Sequence, residues 1–368
     1  MESGADPRSS QSSPGEVHAG GACFITGALG FLGQQIAWTL GCPSAGANLV
    51  GCVQNAPSAV RLLVRTQRRL FLPLDTLPQV KFVRGELGKP ETYRQSLQGV
   101  QTVIHNAALV SFKKTDKEAI FRANIQATQE LLDEAAQSGC RNFIFISSIS
   151  AVGLPPAGAQ QGVLADETMY PDLEDKKKHD PYGYSKLVAE QLVQSYQDRM
   201  RVIILNPSVI LGPGSERIDA ILSPIHRWLR WAPVLPMLTT LNSFVDGRDV
   251  ARAVALALQG GRSGERYIVT AWNMDMVSFT RLALKIMDRN VPVYPVAGGM
   301  LKIGDKIVSL LDWLRLNPGV RPLTAINVNK AYSNQKICTE LGWSPWYTLE
   351  QSLADTLSLS SQKVGVGC

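Results

Sequence analysis

The sequence predicts an α/β chain built on a doubly wound parallel sheet, with a smaller C-terminal substrate-binding region. Three observations carry this. An apolar run from Ala22 leads into Phe24-Ile25-Thr26-Gly27-Ala28-Leu29-Gly30-Phe31-Leu32-Gly33 and then a helix-forming run near Gln34, which reads as strand, phosphate loop, helix. Further β-type runs, Val60–Arg65, Val80–Arg84, Val100–His105 and Asn142–Ile146, alternate with helix-length segments such as the amphipathic Asn124–Ser138, and this implies right-handed crossovers between parallel strands. Finally, 368 residues, 45% of them hydrophobic, can bury a large core and exceed one simple domain.

Within the first unit the glycines have separable jobs. One makes the tight turn, one admits a pyrophosphate and one lets helix pack on strand, while the helix N-terminus offers NH groups and a positive dipole end. Thr26, Gly27, Gly30, Phe31, Leu32 and Gly33 are therefore candidate cofactor contacts. Cys42 to Ser58, rich in Gly, Pro, Ser and Asn, reads as a surface insertion. The second strand then ends in Val64-Arg65, where an NAD site usually carries a carboxylate for the ribose 2′-hydroxyl. A guanidinium suits a 2′-phosphate by charge and by its fork of donors, and Arg68 and Arg69 follow. NADP is thus favoured over NAD, the other reading of these arginines being a solvated loop face. The third and fourth strands, both read as buried, end at Gly85-Glu86-Leu87 and Asn106-Ala107-Ala108. Ligands of parallel sheets gather at such ends, so Glu86, Leu87, Ala107 and Ala108 join the candidates, although Glu86 also reads as a solvated turn residue.

The reacting groups are read further on. Tyr182 and Lys186 are four apart in Pro181-Tyr182-Gly183-Tyr184-Ser185-Lys186, a spacing that puts phenol and ammonium on one helix face. The charge favours phenolate and tunes the tyrosine as a proton donor for a carbonyl, which Ser148, after the strand Asn142–Ile146, can also hydrogen-bond. Tyr184 should point about 200° away. Downstream, Asp249 is read as the N-cap of an alanine-rich helix, Val250 to Leu258, and Gly264 to Val269 as a strand. Between Gly298 and Leu316 apolar residues recur at helical spacing; core or lid packing is favoured over contact with a membrane surface because Asp305 and Asp312 dilute the basic face.

Composition excludes several classes. The net charge is +6, from 37 Lys and Arg against 31 Asp and Glu, with the basic residues scattered apart from Lys176-Lys177-Lys178, so no nucleic-acid surface is expected. Six cysteines and four histidines show no metal-site spacing; reduced cytoplasmic thiols and no metal are the expectation. Residues 1–20 read as a disordered tail, 21–205 as the dinucleotide-binding domain, 206–357 as mainly substrate-binding with segments returning to it, and 358–368 as a flexible tail. No apolar run reaches the roughly 18 residues of a membrane span. A small-molecule substrate is the expected partner, with a homodimer left open.

Taken together, Thr26 to Gly33, His105-Asn106-Ala107-Ala108, Asn124, Ser147-Ser148, Tyr182 with Lys186, and Asn206-Pro207-Ser208-Val209-Ile210-Leu211-Gly212-Pro213 resemble the extended short-chain dehydrogenases/reductases, the superfamily of NAD-dependent epimerases and dehydratases, from Ala22 to about Leu357. The resemblance implies a Rossmann sheet, Tyr182 as acid/base, Lys186 binding the nicotinamide ribose, Ser148 orienting substrate, and Pro207 and Ser208 beside the cofactor. Nucleotide-sugar members commonly carry Arg-Pro before the Gly-Pro turn and an arginine before the later Phe-Val strand; this chain has Asn206-Pro207 and Leu241-Asn242-Ser243. It looks closer to dihydroflavonol reductases and 3β-hydroxysteroid dehydrogenases. The expected function is therefore NADP-linked hydride transfer at a carbonyl or secondary alcohol of a fairly apolar molecule. An NAD-dependent nucleotide-sugar epimerase or dehydratase and a non-catalytic NADP-binding scaffold are the alternatives.

Overall fold

A computed structural model describes residues 21–42, 57–66, 70–111, 114–155, 162–215, 234–296, 306 and 328–364. Its strands are β1 (Ala22–Thr26), β2 (Val60–Val64), β3 (Val80–Arg84), β4 (Val100–His105), β5 (Asn142–Ile146), β6 (Arg201–Pro207), β7 (Val209–Leu211), β8 (Leu235–Leu238), β9 (Leu241–Asp246), β10 (Arg266–Val269), β11 (Trp272–Asp275) and β12 (Val293–Val296). Seven of them form one parallel sheet in the order β10-β6-β5-β4-β1-β2-β3. The order reverses between β1 and β4, which opens a crevice outside their C-terminal ends.

Both faces of this sheet are covered, so β1, β5 and β6 are buried at every position and each carries an unbroken apolar stretch, Ala22–Ile25, Phe143–Ile146 and Val202–Leu205. Strand alternation still sorts the side chains. Cys23 and Ile25 join a core with Ile36 and Leu40 of the helix Phe31–Gly41 and Val250 and Val254 of the helix Gly247–Gln259. Phe24, Phe143 and Phe145 face the other layer, Leu131 and Leu132 of Ala127–Gln137 and Ala189 and Val193 of Pro181–Gln194. Burying one such apolar side chain is worth about 1.5–3 kcal/mol.

After Pro207 the chain alternates between two bodies. β10 completes the main sheet, whereas β7, β9 and β11 form a three-stranded sheet and β8 with β12 a two-stranded one. The helix Met276–Ile286 packs into the core of the smaller body through Val277, Phe279, Ala283 and Leu284.

Four local expectations are corrected. β3 is not a buried strand: it stands at the sheet edge, and Phe82 is 43% exposed. The helix read from Val250 begins at Gly247 and is capped by Asp246, whose carboxylate accepts from the Arg248 NH at 2.8 Å. Asp249 falls instead in its first turn, fully buried. β10 starts at Arg266 because Gly264 has φ +83°, outside strand geometry. Finally, helical backbone begins at Lys117 and passes through a π turn at Arg122–Gln126, so Asn124 lies inside it, not at a helix start. The 298–316 pattern, most of the 42–58 insertion, Arg68, Arg69 and residues 1–20 lie outside the described residues, Lys306 excepted. Among the described residues no helix is long and apolar enough to cross a membrane.

Candidate active site

The crevice at the reversal point is a cleft of about 620 Å³. Its floor is the glycine loop. Gly27 has φ +66°, and a Cβ there would stand 2.7 Å from the backbone of Ala107. A Cβ on Gly33 would overlap the Gly27 carbonyl oxygen, so that glycine is required for the helix to sit on the loop. Gly30 differs: its Cβ would meet only the Gly27 oxygen, at 3.3 Å. No protein packing demands a glycine at that point, which fits a position kept open for a close-approaching pyrophosphate. Gly30 is also the N-cap of Phe31–Gly41, and no acidic residue occupies the first turn to compete for its NH groups.

Thr26, expected to touch cofactor, lies beneath the loop and not in the cleft wall, because its hydroxyl is engaged inside the protein. A directed chain of hydrogen bonds starts from it. The Ala107 NH donates to Thr26 Oγ1 (3.2 Å), Thr26 Oγ1 pairs with His105 Nδ1 (2.6 Å), His105 Nε2 with Thr128 Oγ1 (2.9 Å), and Thr128 donates to the Asn124 carbonyl (2.7 Å). Because Thr128 gives its proton to Asn124, its oxygen accepts from His105 Nε2–H, which leaves Nδ1 to accept from Thr26. The imidazole is thus neutral and satisfied at both nitrogens, and complete burial pushes its pKa down to about 3. The Asn124 amide continues the path: Nδ2 donates to the Leu109 carbonyl and to Ser185 Oγ (3.0 Å each), Oδ1 accepts from the Leu109 NH (2.7 Å), and Ser185 donates to the Tyr182 carbonyl (2.8 Å). His105, Thr128 and Ser185 were not picked out as site residues from the sequence. Their partners lie up to 79 positions away, and no local pattern marks them.

Tyr182 and Lys186 stand on the buried face of Pro181–Gln194 and line the cleft together with Ser147 and Ser148. Pro181 at the first helical position and Asp180, which caps the Gly183 NH at 3.0 Å, start the helix just before Tyr182. The Lys186 ammonium donates to the Ile146 carbonyl at 2.7 Å and lies 4.5 Å from the centre of the Phe145 ring. Ser148 accepts from the Ser150 NH at 3.1 Å, which orients its hydroxyl and leaves the proton able to donate. Tyr184 faces elsewhere, its ring 5.1 Å from that of Phe121.

At the other end of the cleft Arg65, Glu86 and Leu87 meet. Arg65 is two-thirds exposed and lies 3.9 Å from Glu86, which is also 2.8 Å from Lys89. Lys89 first, and Arg65 to a lesser degree, hold the Glu86 carboxyl below its usual range. Phe31, Leu32, Ala107, Ala108, Pro207 and Ser208 line the space between, whereas Gly33 packs behind the loop. An elongated ligand with an anionic centre over Gly30 therefore finds an arginine at one end and the Tyr182–Lys186–Ser148 cluster at the other.

The chain matches the NAD dependent epimerase/dehydratase family over residues 23–270. It is 30% identical over 348 residues, 91% of this chain and 93% of the relative, to a Synechocystis protein provisionally named dihydroflavonol 4-reductase. It is 32% identical over 252 residues, 67% of this chain and 69% of the relative, to sterol demethylase protein B of Methylococcus capsulatus. Its fold resembles that of a Streptomyces venezuelae dTDP-glucose 4,6-dehydratase solved with NAD and TYD bound, at TM-score 0.69 and 22% identity, covering 94% of this chain and 98% of that one. With a parallel seven-stranded sheet, a glycine loop at its reversal point and this breadth of sequence match, the chain belongs to the NAD dependent epimerase/dehydratase family, as an NAD(P)-dependent oxidoreductase of the extended short-chain dehydrogenase/reductase type.

Proposed function

We propose that the protein interconverts a carbonyl and a secondary alcohol on a fairly apolar small molecule, with NADP as hydride carrier. The observation that carries this reading is the convergence of Tyr182, Lys186 and Ser148 on the wall of the same cleft that the glycine loop floors. The bound nicotinamide would supply or accept the hydride; everything else falls to the chain. The NH groups of the Phe31–Gly41 N-terminus would hold the pyrophosphate near Gly30, and Arg65 would hold the 2′-phosphate. Lys186, fixed by the Ile146 carbonyl, would hold the nicotinamide ribose and place a positive charge beside Tyr182. Tyr182 passes its phenolic proton to the carbonyl oxygen, and the Ser148 hydroxyl donates to the same oxygen.

Two further points support an apolar substrate over a nucleotide sugar. Leu109, Val110 and Ile210 contribute apolar wall to the cleft. Asn206, which stands where nucleotide-sugar members commonly carry an arginine, spends its amide inside the protein, donating to the Ser148 carbonyl at 3.0 Å and to Glu190. The names of the two sequence relatives, a dihydroflavonol reductase and a sterol demethylase protein, agree. The buried, unpaired thiols of Cys23 and Cys140 suit a cytoplasmic setting. Purification followed by identification of any retained nucleotide and an NADPH-oxidation assay over sterol-, flavonoid- and lipid-like carbonyls tests the reading. Ketone-dependent NADPH consumption supports it. Retained NAD without net consumption of NADPH would replace it with the epimerase reading, and cofactor binding without any turnover would replace it with a scaffold.

A further inference from the structure

The helix that carries Tyr182 and Lys186 presents a third polar group on the same face. Glu190 follows at i+8 from the tyrosine and is 1% exposed. One carboxylate oxygen accepts from Ser147 Oγ and from Asn206 Nδ2; the other lies 3.3 Å from Nε of Arg266, itself 2% exposed. The same Asn206 amide donates to the Ser148 carbonyl at 3.0 Å, and Lys186 donates to the Ile146 carbonyl at 2.7 Å. Three consecutive residues at the C-terminal end of β5 are thereby tied to one helix face: Ile146 by Lys186, Ser147 by Glu190, and Ser148 by Glu190 acting through Asn206. A stability role alone would not require this arrangement, since a buried carboxylate–guanidinium pair is often matched or bettered by apolar residues of similar volume.

We propose that Glu190 is a positioning residue, which holds the Ser147-Ser148 segment in register with Tyr182 and Lys186 so that serine and tyrosine address the same oxygen. This rests on the proton-transfer reading of Tyr182 and Ser148. It differs from a purely structural role in one way: loss of the carboxylate acceptor should degrade reaction geometry more than cofactor binding.

The test removes the buried charge pair as a unit, so that neither variant is left with an unpaired ion. Glu190→Gln/Arg266→Met keeps an oxygen that accepts from Ser147 and Asn206, whereas Glu190→Leu/Arg266→Met does not. A second pair, Ser147→Ala and Asn206→Ala combined, removes the donors and leaves the ion pair in place. With NADPH and a panel of alicyclic and aromatic ketones, Glu190→Leu/Arg266→Met and Ser147→Ala/Asn206→Ala should lose about ten- to a hundredfold in kcat while NADPH Kd and ketone KM stay within about threefold, the scale expected for a displacement near 1 Å. The Gln variant should stay within about threefold of wild type in kcat. Equal kcat in the Gln and Leu variants overturns the proposal. So does a loss of kcat matched by equal losses of cofactor affinity or folded fraction, which would make the network merely structural. If the wild type reduces no ketone, the phenol of Tyr182 is titrated by ultraviolet absorbance in the presence of NADP, with Tyr182→Phe as the blank. A midpoint displaced upward by about half a pH unit or more in Ser147→Ala/Asn206→Ala supports positioning even though the oxidoreductase substrate reading has failed; coincident midpoints overturn it.

Discussion

Beneath the phosphate loop the buried polar groups are neutral. Thr26, His105, Thr128, Asn124 and Ser185 close a directed chain from the loop to Tyr182 without a formal charge. Against the helix Gly247–Gln259 the buried groups are charged: Asp249 pairs with Arg252 at 2.9 Å and accepts from the NH groups of Trp346 and Tyr347, Arg252 donates to the Ser344 carbonyl, and Trp343 donates to the Asp249 carbonyl. The first network lies under the glycine loop, the part of the cleft proposed to take the cofactor's pyrophosphate, where a fixed charge would alter the field at the phosphates. The second fastens the C-terminal segment to the sheet's helical layer, away from the cleft lining, where charge-assisted bonds to backbone matter. Beneath the phosphate loop the polar groups are thus held by dipoles, whereas the C-terminal segment is attached by ions, as is the Ser147-Ser148 wall of the cleft through Lys186 and Glu190.

The largest expected effect lies on the proton path. Tyr182→Phe should lower turnover by roughly two to four orders of magnitude with cofactor affinity kept, whereas Tyr184→Phe, packed on Phe121, should retain most activity. Steady-state kinetics with nucleotide titration decides this, and a Tyr182→Phe enzyme near wild-type rate would remove the acid/base assignment. Next comes the charged knot. Asp249→Ala leaves Arg252, 3% exposed, without its carboxylate and should cost about 3–5 kcal/mol in denaturant unfolding while NADP affinity of the folded protein is unchanged. Equal damage to cofactor binding would erase the contrast drawn between the two regions.

The neutral chain predicts a pH effect of smaller size at ordinary working pH. His105 is held neutral, with its pKa lowered from 6.5 to about 3. The unfolded chain therefore binds a proton that the folded one refuses, so stability is present above about pH 6.5 and is lost as pH falls towards 3, by up to about 1.4 kcal/mol per pH unit. Asp249 works in the opposite direction: burial raises its pKa, so its own contribution weakens as pH rises through the raised value. The measure is consequently a difference between two stability–pH curves. His105→Asn, which cannot titrate, should flatten the acid slope by about one proton; parallel curves would show that the imidazole is charged in the fold. Smallest, and confined to one cofactor, is the effect at the far end of the cleft. Arg65→Ala should weaken NADP by about tenfold and NAD by less than twofold, since only NADP brings a phosphate to an exposed guanidinium. Equal losses would displace Arg65 from the 2′-phosphate.

Local chemistry announces itself along the chain, and those parts were legible. Gly27, Gly30 and Gly33 report a backbone that must turn tightly, stay open and be approached closely within seven residues, and Tyr182 with Lys186 reports one helix face by spacing alone. The continuous apolar runs of β1 and β5 announce a sheet covered on both sides, and the family follows from the same landmarks. What no window of sequence contains is the partner of a buried polar group. Thr26 reads as a phosphate-loop threonine until the fold brings His105 against it and turns its hydroxyl inward. Asp249 reads as a cap until residues 346 and 347 arrive, nearly a hundred positions later, to claim its carboxylate. Val80–Arg84 reads as core until the strand order puts it at an edge, where half its environment is water. Sequence by itself determined the periodicities and the turns, because those depend on neighbours within a few residues. The tertiary structure decided which polar atoms are satisfied, which strand is exposed and which residues meet in the cleft, because burial and hydrogen-bond closure are properties of groups that only the completed fold brings together.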